Sequence, residues 1–358
     1  MSKKRILVVD DAAVIRRMVS KIIDDEEDYE VIGIAANGNI ALRKFEQLKP
    51  DLITLDIEMP DRDGISTLKE IRKTNSKIPI IMLSSLTKTG AEKTFEALQP
   101  GATDYLAKPS KISDFLKSID ELKRLLIPRI NAHFPKEKES TVTRHNNPKK
   151  STRLNTQRVS FAPPEILCIG SSTGGPNALG DLIKNLNERL PIPTVIVQHM
   201  PPVFTKTLAD RLDKLSPNTC YEAKDGQSIQ PGCVYIAPGG KHMELVRESD
   251  QTVIRLNENS PENSCRPSVD PLFRSVSQIY GSKTLALVLT GMGRDGLNGC
   301  EHISETSGQI IVQDRESSVV WGMPRSVAEA GLADQILPLD EIPKAILEAQ
   351  KTVIHQSN

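Results

Sequence analysis

Short apolar segments alternate with helical patterns over the first third of the chain. Strand-like segments, rich in β-branched or apolar residues and bounded by turn residues, lie at residues 6–9, 31–35, 52–55, 78–83 and 105–107. Between them, apolar side chains recur at helical spacing, as at Val14, Ile15, Met18, Val19 and Ile22. Residues 1–128 are therefore predicted to form a (βα)5 domain, in which helices cover both faces of a parallel sheet.

The same alternation resumes at Pro164 and continues to the end of the chain. Strand patterns lie at residues 166–169, 194–198, 234–237, 285–289 and 310–313. Two more, at 244–247 and 252–256, are separated by a short polar turn and predict an antiparallel hairpin set into the sheet. Residues 342–354 have helical spacing. Residues 164–358 are thus predicted to form a doubly wound, mostly parallel α/β domain.

The segment between these two regions has a different composition. Residues 129–163 contain few hydrophobic residues, with no period, and include clusters of Lys, Glu, Asn and Pro. Such a composition buries too little apolar surface to form a core. We expect a flexible linker that joins the two domains.

Composition and charge exclude several classes of protein. Lys plus Arg and Asp plus Glu both number 46, so the zero net charge argues against a nucleic-acid partner. No apolar run is long enough to cross a membrane, and the basic start runs directly into a strand pattern rather than a signal peptide. The 5 cysteines form no C-x-x-C pair, so no disulfide framework or zinc site is indicated. A cytoplasmic protein with no direct membrane insertion is expected.

Polar residues follow the strands of the first domain. Asp10 and Asp11 follow the first strand, Asp56 the third, Ser84 the fourth and Lys108 the fifth. A single aspartate here is more often a cap or turn former, but the carboxyl ends of parallel strands share one edge. Converging carboxylates suit Mg²⁺. Asp56 is then the candidate nucleophile toward a phosphoryl group, which Lys108 and Ser84 would contact.

This set resembles the receiver domain of two-component response regulators over all of residues 1–128. The resemblance rests on Asp10-Asp11, Asp56 through Pro60, Asp63-Gly64, Ser84 and Lys108-Pro109. It implies a flavodoxin-like fold, Mg²⁺ bound by Asp10, Asp11 and Asp56, and phosphorylation of Asp56 by a histidine kinase. It also implies a switch in which Ser84, Lys108 and the aromatic Tyr105 take part.

A glycine-rich turn, Gly170-Ser171-Ser172-Thr173-Gly174-Gly175, opens the second domain after a strand pattern. The G-x-S-x-G register fits a nucleophile elbow with Ser172 at its tip. A phosphate-binding loop and a purely structural turn remain open, although the second glycine of G-x-G-x-x-G and a Walker lysine are both missing.

A serine nucleophile needs a base and an orienting carboxylate. His199 ends the next strand and would reach the same sheet edge, with His242 and His302 as competitors. Asp295 lies in a glycine-rich loop after another strand, where it is a candidate carboxylate, or alternatively a helix cap.

Together these residues resemble the chemotaxis-specific protein-glutamate methylesterases from Pro164 to the C-terminus. The matching motifs are the glycine-rich turn, Gln198 to Pro201, Ala237 to Gly239, Leu289 to Gly296 and Gly322 to Arg325. One departure is Ser171, where the family usually has alanine, which leaves two neighbouring hydroxyls.

The resemblance implies a Ser172–His199–Asp295 triad, with Met292 and Thr173 as candidates for binding the oxyanion, and no cofactor for ester hydrolysis. It implies methyl-accepting chemotaxis receptors as substrates, whose glutamate γ-methyl esters are hydrolysed and some of whose glutamines are deamidated. It further implies that the unphosphorylated receiver covers the active site. The alternatives are a receiver-controlled DNA-binding protein, against which the long output domain without a basic recognition helix argues, and a non-catalytic adaptor.

Overall fold

The structure, a computed structural model, describes residues 2–109, 115–134 and 162–351. The first domain contains a five-stranded parallel sheet in the order β2-β1-β3-β4-β5. Its strands are β1 (Lys4–Val9), β2 (Tyr29–Ala35), β3 (Leu52–Asp56), β4 (Ile80–Ser84) and β5 (Asp104–Ala107). All five strands predicted from the apolar pattern are present, so the predicted (βα)5 fold is confirmed.

Helices cover both faces of this sheet, and strand alternation decides which residues face which layer. They are α1 (Ala13–Asp24), α2 (Gly38–Leu48), α3 (Gly64–Thr74), α4 (Lys88–Leu98) and α5 (Phe115–His133). Ile6 and Val8 of β1 pack in the cluster formed with α1 and α5, whereas Leu7 and Val9 pack on the opposite side. Side-chain caps fix the first turns of several helices; Asp63, for example, accepts a hydrogen bond from Ser66 N–H at 2.7 Å.

The second domain is built on a seven-stranded parallel sheet in the order β14-β13-β12-β6-β7-β9-β8. Its strands are β6 (Ile166–Ser171), β7 (Thr194–Gln198), β8 (Thr219–Glu222), β9 (Cys233–Ile236), β12 (Thr284–Val288), β13 (Gln309–Gln313) and β14 (Gln335–Leu337). The central strands match the predicted ones. The edge strands β8 and β14 had no counterpart in the prediction, because they are short and only partly buried.

The hairpin strands are β10 (His242–Glu248) and β11 (Gln251–Asn257), and they form a separate two-stranded antiparallel sheet. The expectation that the hairpin is set into the main sheet was wrong. Its apolar face, including Met243, Leu245 and Ile254, instead packs in the cluster that contains Phe273 and Val276. A hairpin that buries one face on a helix needs no pairing with the main sheet.

The helices of this domain are α6 (Gly175–Asn185), α7 (Phe204–Leu215), α8 (Val269–Tyr280), α9 (Leu297–Glu305), α10 (Met323–Glu329) and α11 (Ile342–Lys351). Helix α5 runs through His133, beyond the predicted domain boundary at residue 128, and most of the predicted linker lies outside the described residues. Within the described ranges, no helix has the length and apolar character that a membrane span requires.

The two domains contact each other through α4 and β5 on one side and α6 and α7 on the other. The rings of Tyr105 and Phe204 stack with centroids 5.1 Å apart and an interplanar angle of 10°. The Arg211 guanidinium lies over the Phe95 ring, and Asn177 donates to the Leu98 carbonyl at 3.0 Å. Apolar residues of both domains therefore belong to one continuous cluster.

Candidate functional site

The aspartates of the first domain converge at the carboxyl edge of its sheet. Ligand oxygens of Asp10, Asp11 and Asp56 all lie within 4.8 Å of one another. Lys108 Nζ is 2.8 Å from an oxygen of Asp10 and 2.8 Å from an oxygen of Asp56. A cavity of about 580 Å³, lined by Asp11 and Glu58 among others, opens beside this cluster. The parallel strands thus bring together four of the five residues that the sequence placed at strand ends, Asp10, Asp11, Asp56 and Lys108.

The electrostatics of this cluster fit a divalent cation. Burial, together with the charge of Asp10, raises the pKa of Asp56 to about 6, against the lowering effect of Lys108. The Oδ2 atom of Asp56 is buried and has no hydrogen-bond partner among the described residues. Crowded carboxylates with an unpaired oxygen are suitable ligands for Mg²⁺, whose charge would relieve their repulsion.

Of the three candidate switch residues, Lys108 contacts Asp56, whereas Ser84 and Tyr105 have other partners. Ser84 is buried, and its hydroxyl donates to the Gly90 carbonyl at 3.0 Å in the first turn of α4. Tyr105 is 4% exposed, and its ring faces the other domain, where it stacks on Phe204. Ser84 therefore contacts α4, and Tyr105 belongs to the domain interface itself.

In the second domain, β6 ends at Ser171 and the glycine-rich turn carries Ser172 to the carboxyl edge of the sheet. Gly174 has a φ of 79°, which favours glycine, and α6 begins at Gly175. The Ser171 hydroxyl is fully buried and donates to Gln198 Oε1 at 2.7 Å, whereas Ser172 is only partly buried. Of the two neighbouring hydroxyls, Ser172 is the one left open to a substrate.

The candidate base and the candidate carboxylate meet at this edge. His199 Nε2 lies 2.7 Å from Asp295 Oδ2, and the backbone N–H of His199 donates to the Ser171 carbonyl at 3.1 Å. The Gln198 side chain also donates to the Ser172 carbonyl at 2.9 Å, which ties the histidine strand to the serine turn. The competitors lie elsewhere: the buried His242 ring hydrogen-bonds Ser260 and Ser268, and the His302 ring hydrogen-bonds the Asn298 carbonyl.

Asp295 also interacts with the start of α8, although it belongs to a different loop. One carboxylate oxygen accepts the Val269 N–H at 2.7 Å, and the other accepts the Ser268 hydroxyl at 2.7 Å. Burial acts to raise the pKa of Asp295, but the hydrogen bond and charge of His199 and these donors outweigh it and hold the pKa well below its ordinary value. Capping a helix and orienting a histidine, which the sequence left as alternatives, are therefore combined in one side chain.

The surroundings of His199 also shift the pKa of its imidazole. Burial alone would lower the pKa of His199, but the neighbouring Cys265 thiol and the hydrogen bond with Asp295 raise it overall. The Asp295 carboxylate, 2.7 Å from Nε2, favours the imidazolium form of His199.

Two backbone N–H groups beside Ser172 are free to bind an oxyanion. The N–H groups of Met292 and Thr173 donate to no partner among the described residues. The Met292 loop approaches Ser172 closely because Gly291 has no side chain: a Cβ there would lie 2.9 Å from Ser172 Cβ. Free N–H groups near a serine are the elements of an oxyanion hole.

Two features of the site were missed by the sequence reasoning. The Ser172 hydroxyl makes no hydrogen bond within the described part of the chain, and His199 Nδ1 instead contacts Cys265 Sγ at 3.5 Å. The Thr173 hydroxyl donates across the domain interface to Asp104 Oδ2 at 3.1 Å. No motif indicated a role for Cys265 or Asp104.

Comparisons with known proteins give matches to both domains. The sequence pattern of the CheB methylesterase family matches residues 167–346, and that of the response regulator receiver domain matches residues 6–120. A protein-glutamate methylesterase/protein-glutamine glutaminase of Trichodesmium erythraeum is 47% identical over 97% of this chain and 99% of its own length. One from Thermotoga maritima is 42% identical over 96% of this chain and 98% of its own. The crystal structure of the Thermotoga maritima CheB methylesterase catalytic domain is similar, with 46% identity and a TM-score of 0.51. The match covers 52% of this chain and 99% of the crystallised chain.

Proposed function

The chain belongs to the CheB methylesterase family and carries a receiver domain at its N-terminus, and we propose that it is a phosphorylation-activated esterase of methylated receptor glutamates. The substrate is a glutamate γ-methyl ester on a methyl-accepting chemotaxis receptor, and certain receptor glutamines are deamidated in the same site. The activity names come from the relatives described above. The family match leaves the DNA-binding and adaptor alternatives without support.

In this reaction Ser172 Oγ attacks the ester carbonyl while His199 removes its proton. Because Nε2 of His199 faces Asp295 at 2.7 Å, Nδ1 is the nitrogen that serves as the base. The N–H groups of Met292 and Thr173 stabilise the oxyanion, and Asp295 stabilises the imidazolium. The proton then passes to the leaving methanol, or to ammonia from a glutamine. Water hydrolyses the acyl-serine by the same steps in reverse.

The ester reaction, as proposed, uses no cofactor, whereas phosphorylation of the receiver uses Mg²⁺. Asp10, Asp11 and Asp56 would hold the ion, which neutralises charge on the incoming phosphoryl group. Asp56 accepts the phosphoryl group from a chemotaxis histidine kinase, and Lys108 pairs with a phosphoryl oxygen. A site of action in the cytoplasm is consistent with five cysteines that are all free thiols.

Regulation by occlusion is supported by the contact between Thr173 and Asp104. The hydroxyl next to the proposed nucleophile donates to a receiver carboxylate, so the receiver lies against the serine turn that a receptor helix would have to reach. Phosphorylation would rearrange Ser84 and Tyr105 and weaken the interface. A bias of a few kcal/mol is sufficient for such a two-state contact.

The proposal rests above all on the His199–Asp295 hydrogen bond beside the serine turn. The test is methanol release from methylated receptor membranes, with and without a phosphodonor, by wild type, Ser172→Ala and Asp56→Asn. We expect stimulation by the phosphodonor in wild type, none in Asp56→Asn, and no release by Ser172→Ala. Turnover by Ser172→Ala close to that of wild type would refute the proposed chemistry.

A further inference from the structure

A short turn behind the base and the carboxylate contacts both of them. This turn, residues 262–265, is called the backing turn here; it lies in the loop between β11 and α8. Asn263 and Ser264 have φ values of 51° and 61°, in the left-handed region. Such a backbone is strained for residues other than glycine, although Asn tolerates it better than most. Contacts of its side chains offset this strain.

The first contact joins Asn263 to two buried carboxylates. Its Nδ2 atom donates to Asp295 Oδ1 at 2.9 Å and to Asp270 Oδ2 at 2.8 Å. Asp270 is 4% exposed and Asp295 is 2% exposed. Two buried like charges repel each other, and an amide NH₂ group between them supplies a hydrogen for each.

The second contact is between Cys265 and the base. Its Sγ lies 3.5 Å from His199 Nδ1, on the side of the ring opposite Asp295. A thiol is a weak donor, so it can fix the plane of the imidazole and still be displaced by the Ser172 hydroxyl when substrate binds. The ring is thus held from both sides before the reaction starts.

The backing turn is in turn anchored to α8. Arg274 donates to both carboxylate oxygens of Glu262, at 2.9 and 2.7 Å, and Cys265 N–H donates to the Glu262 carbonyl at 2.9 Å. The N-terminus of the same helix binds Asp295 through Val269. Helix α8 therefore fixes Asp295 directly and His199 through the backing turn.

We propose that Asn263 and Cys265 are positioning residues of the esterase, which hold Asp295 and His199 in reactive geometry. The inference rests on the proposed function, because it assigns these residues to the same reaction. At residue 263, catalysis depends on the hydrogen-bond donor and not on the shape of the side chain.

Two variants at residue 263 separate these possibilities. Asn263→Asp keeps the shape and tolerates the left-handed backbone, but replaces the donor by an acceptor facing two carboxylates. Asn263→Gly removes the side chain and also tolerates the backbone. Asn259→Asp is the matched control, because residue 259 is exposed in the same loop and only its backbone hydrogen-bonds with other described residues.

The full-length chain is assayed on methylated receptor membranes with Mg²⁺ and a small phosphodonor, so that occlusion does not limit the rate. We expect Asn263→Asp to lower kcat roughly 10- to 100-fold with KM nearly unchanged, as expected for a lost donor to a buried charge. Asn263→Gly should lose less, and the control should retain its rate. A rank in which Asn263→Gly is impaired and Asn263→Asp is not would show a packing role and overturn the inference.

Cys265 is tested by Cys265→Ala and Cys265→Ser. We expect the alanine variant to lose severalfold in kcat and the serine variant, which restores a donor, to recover it. A Cys265→Ala variant with wild-type or higher kcat would overturn this part. Wild-type protein that releases no methanol would refute the proposed function instead, so the two failures are distinguishable.

Discussion

The stacked pair Tyr105–Phe204 offers a direct test of the domain interface. The two rings belong to different domains and lie 5.1 Å apart in nearly parallel planes. Tyr105 is 4% exposed and Phe204 is 0% exposed. Replacing Tyr105 by alanine removes the receiver's ring from this contact and leaves the proposed catalytic residues untouched.

The size of the effect follows from the contact. An offset-stacked aromatic pair contributes about 0.5–1.5 kcal/mol beyond the burial of its surface, and burial of a large side chain contributes about 1.5–3 kcal/mol. Tyr105→Ala should therefore weaken docking by roughly 2–4 kcal/mol. Since 1.4 kcal/mol is about tenfold, the opening equilibrium should shift by at least an order of magnitude. The basal rate cannot rise above the rate of the fully open enzyme.

The assay is methanol release from methylated receptors without a phosphodonor. We expect a raised basal rate in Tyr105→Ala and in Phe204→Ala, with a coupling energy of about 1 kcal/mol in the double-mutant cycle. Tyr221→Ala is the matched control, since that ring contacts Tyr235 within one domain. The reasoning fails if folded Tyr105→Ala keeps the wild-type basal rate, or if the phosphorylated rate rises by the same factor.

Three further predictions concern individual residues. Ser172→Ala should reduce hydrolysis by several orders of magnitude, whereas Ser171→Ala should keep its rate in the same methanol assay and lose about 1 kcal/mol of unfolding free energy, because Gln198 Oε1 loses its buried partner. Asp56→Asn should accept no label from a phosphodonor. The same variant should have a higher melting temperature than wild type near pH 7 and a similar one near pH 4. Asp56 has a pKa of about 6 in the folded protein, above that of an unfolded aspartate, so its ionisation destabilises the wild-type fold as pH rises between these two pKa values. The raised pKa of His199 should place the acid limb of kcat/KM above the pH expected for an ordinary histidine, since the base must be neutral to act; a pH–rate profile checks this.

The sequence predicted the parts of the two sites that depend on strand ends. In a parallel sheet the carboxyl ends share an edge, so Asp10 and Asp56 had to converge, as did Ser172 and His199, once the strands were identified. The short edge strands were missed because a few half-buried residues give too weak an alternation. The hairpin was found but misplaced, since strand pattern alone does not say which surface a strand packs on.

Contacts made by irregular loops could not be predicted. Asn263 reaches Asp295 and Cys265 reaches His199 from a loop with no hydrophobic period, and its left-handed residues are not glycines. The Asp104–Thr173 contact depends on how two domains dock, which neither domain's pattern specifies. A cysteine outside any motif is usually a small buried apolar residue, so nothing in the sequence distinguished Cys265 from the others.

The route from Asp56 to the serine turn is short enough for one strand to carry it. Lys108 Nζ contacts Asp56, and Lys108 immediately follows strand β5. The first residue of that strand, Asp104, accepts a hydrogen bond from Thr173. Four strand residues span only about 13 Å. Lys108 N–H also donates to the Ser84 carbonyl at 2.7 Å, so a phosphoryl group on Asp56 that changed the contacts of Lys108 would act on β4 and β5 together. Since Asp104 and Tyr105 both lie on β5, a small displacement of that strand would disturb the hydrogen bond to Thr173 and the stack on Phe204 at once. An interface that loses its polar and its aromatic contact in one movement behaves as a switch with two states rather than as a graded one.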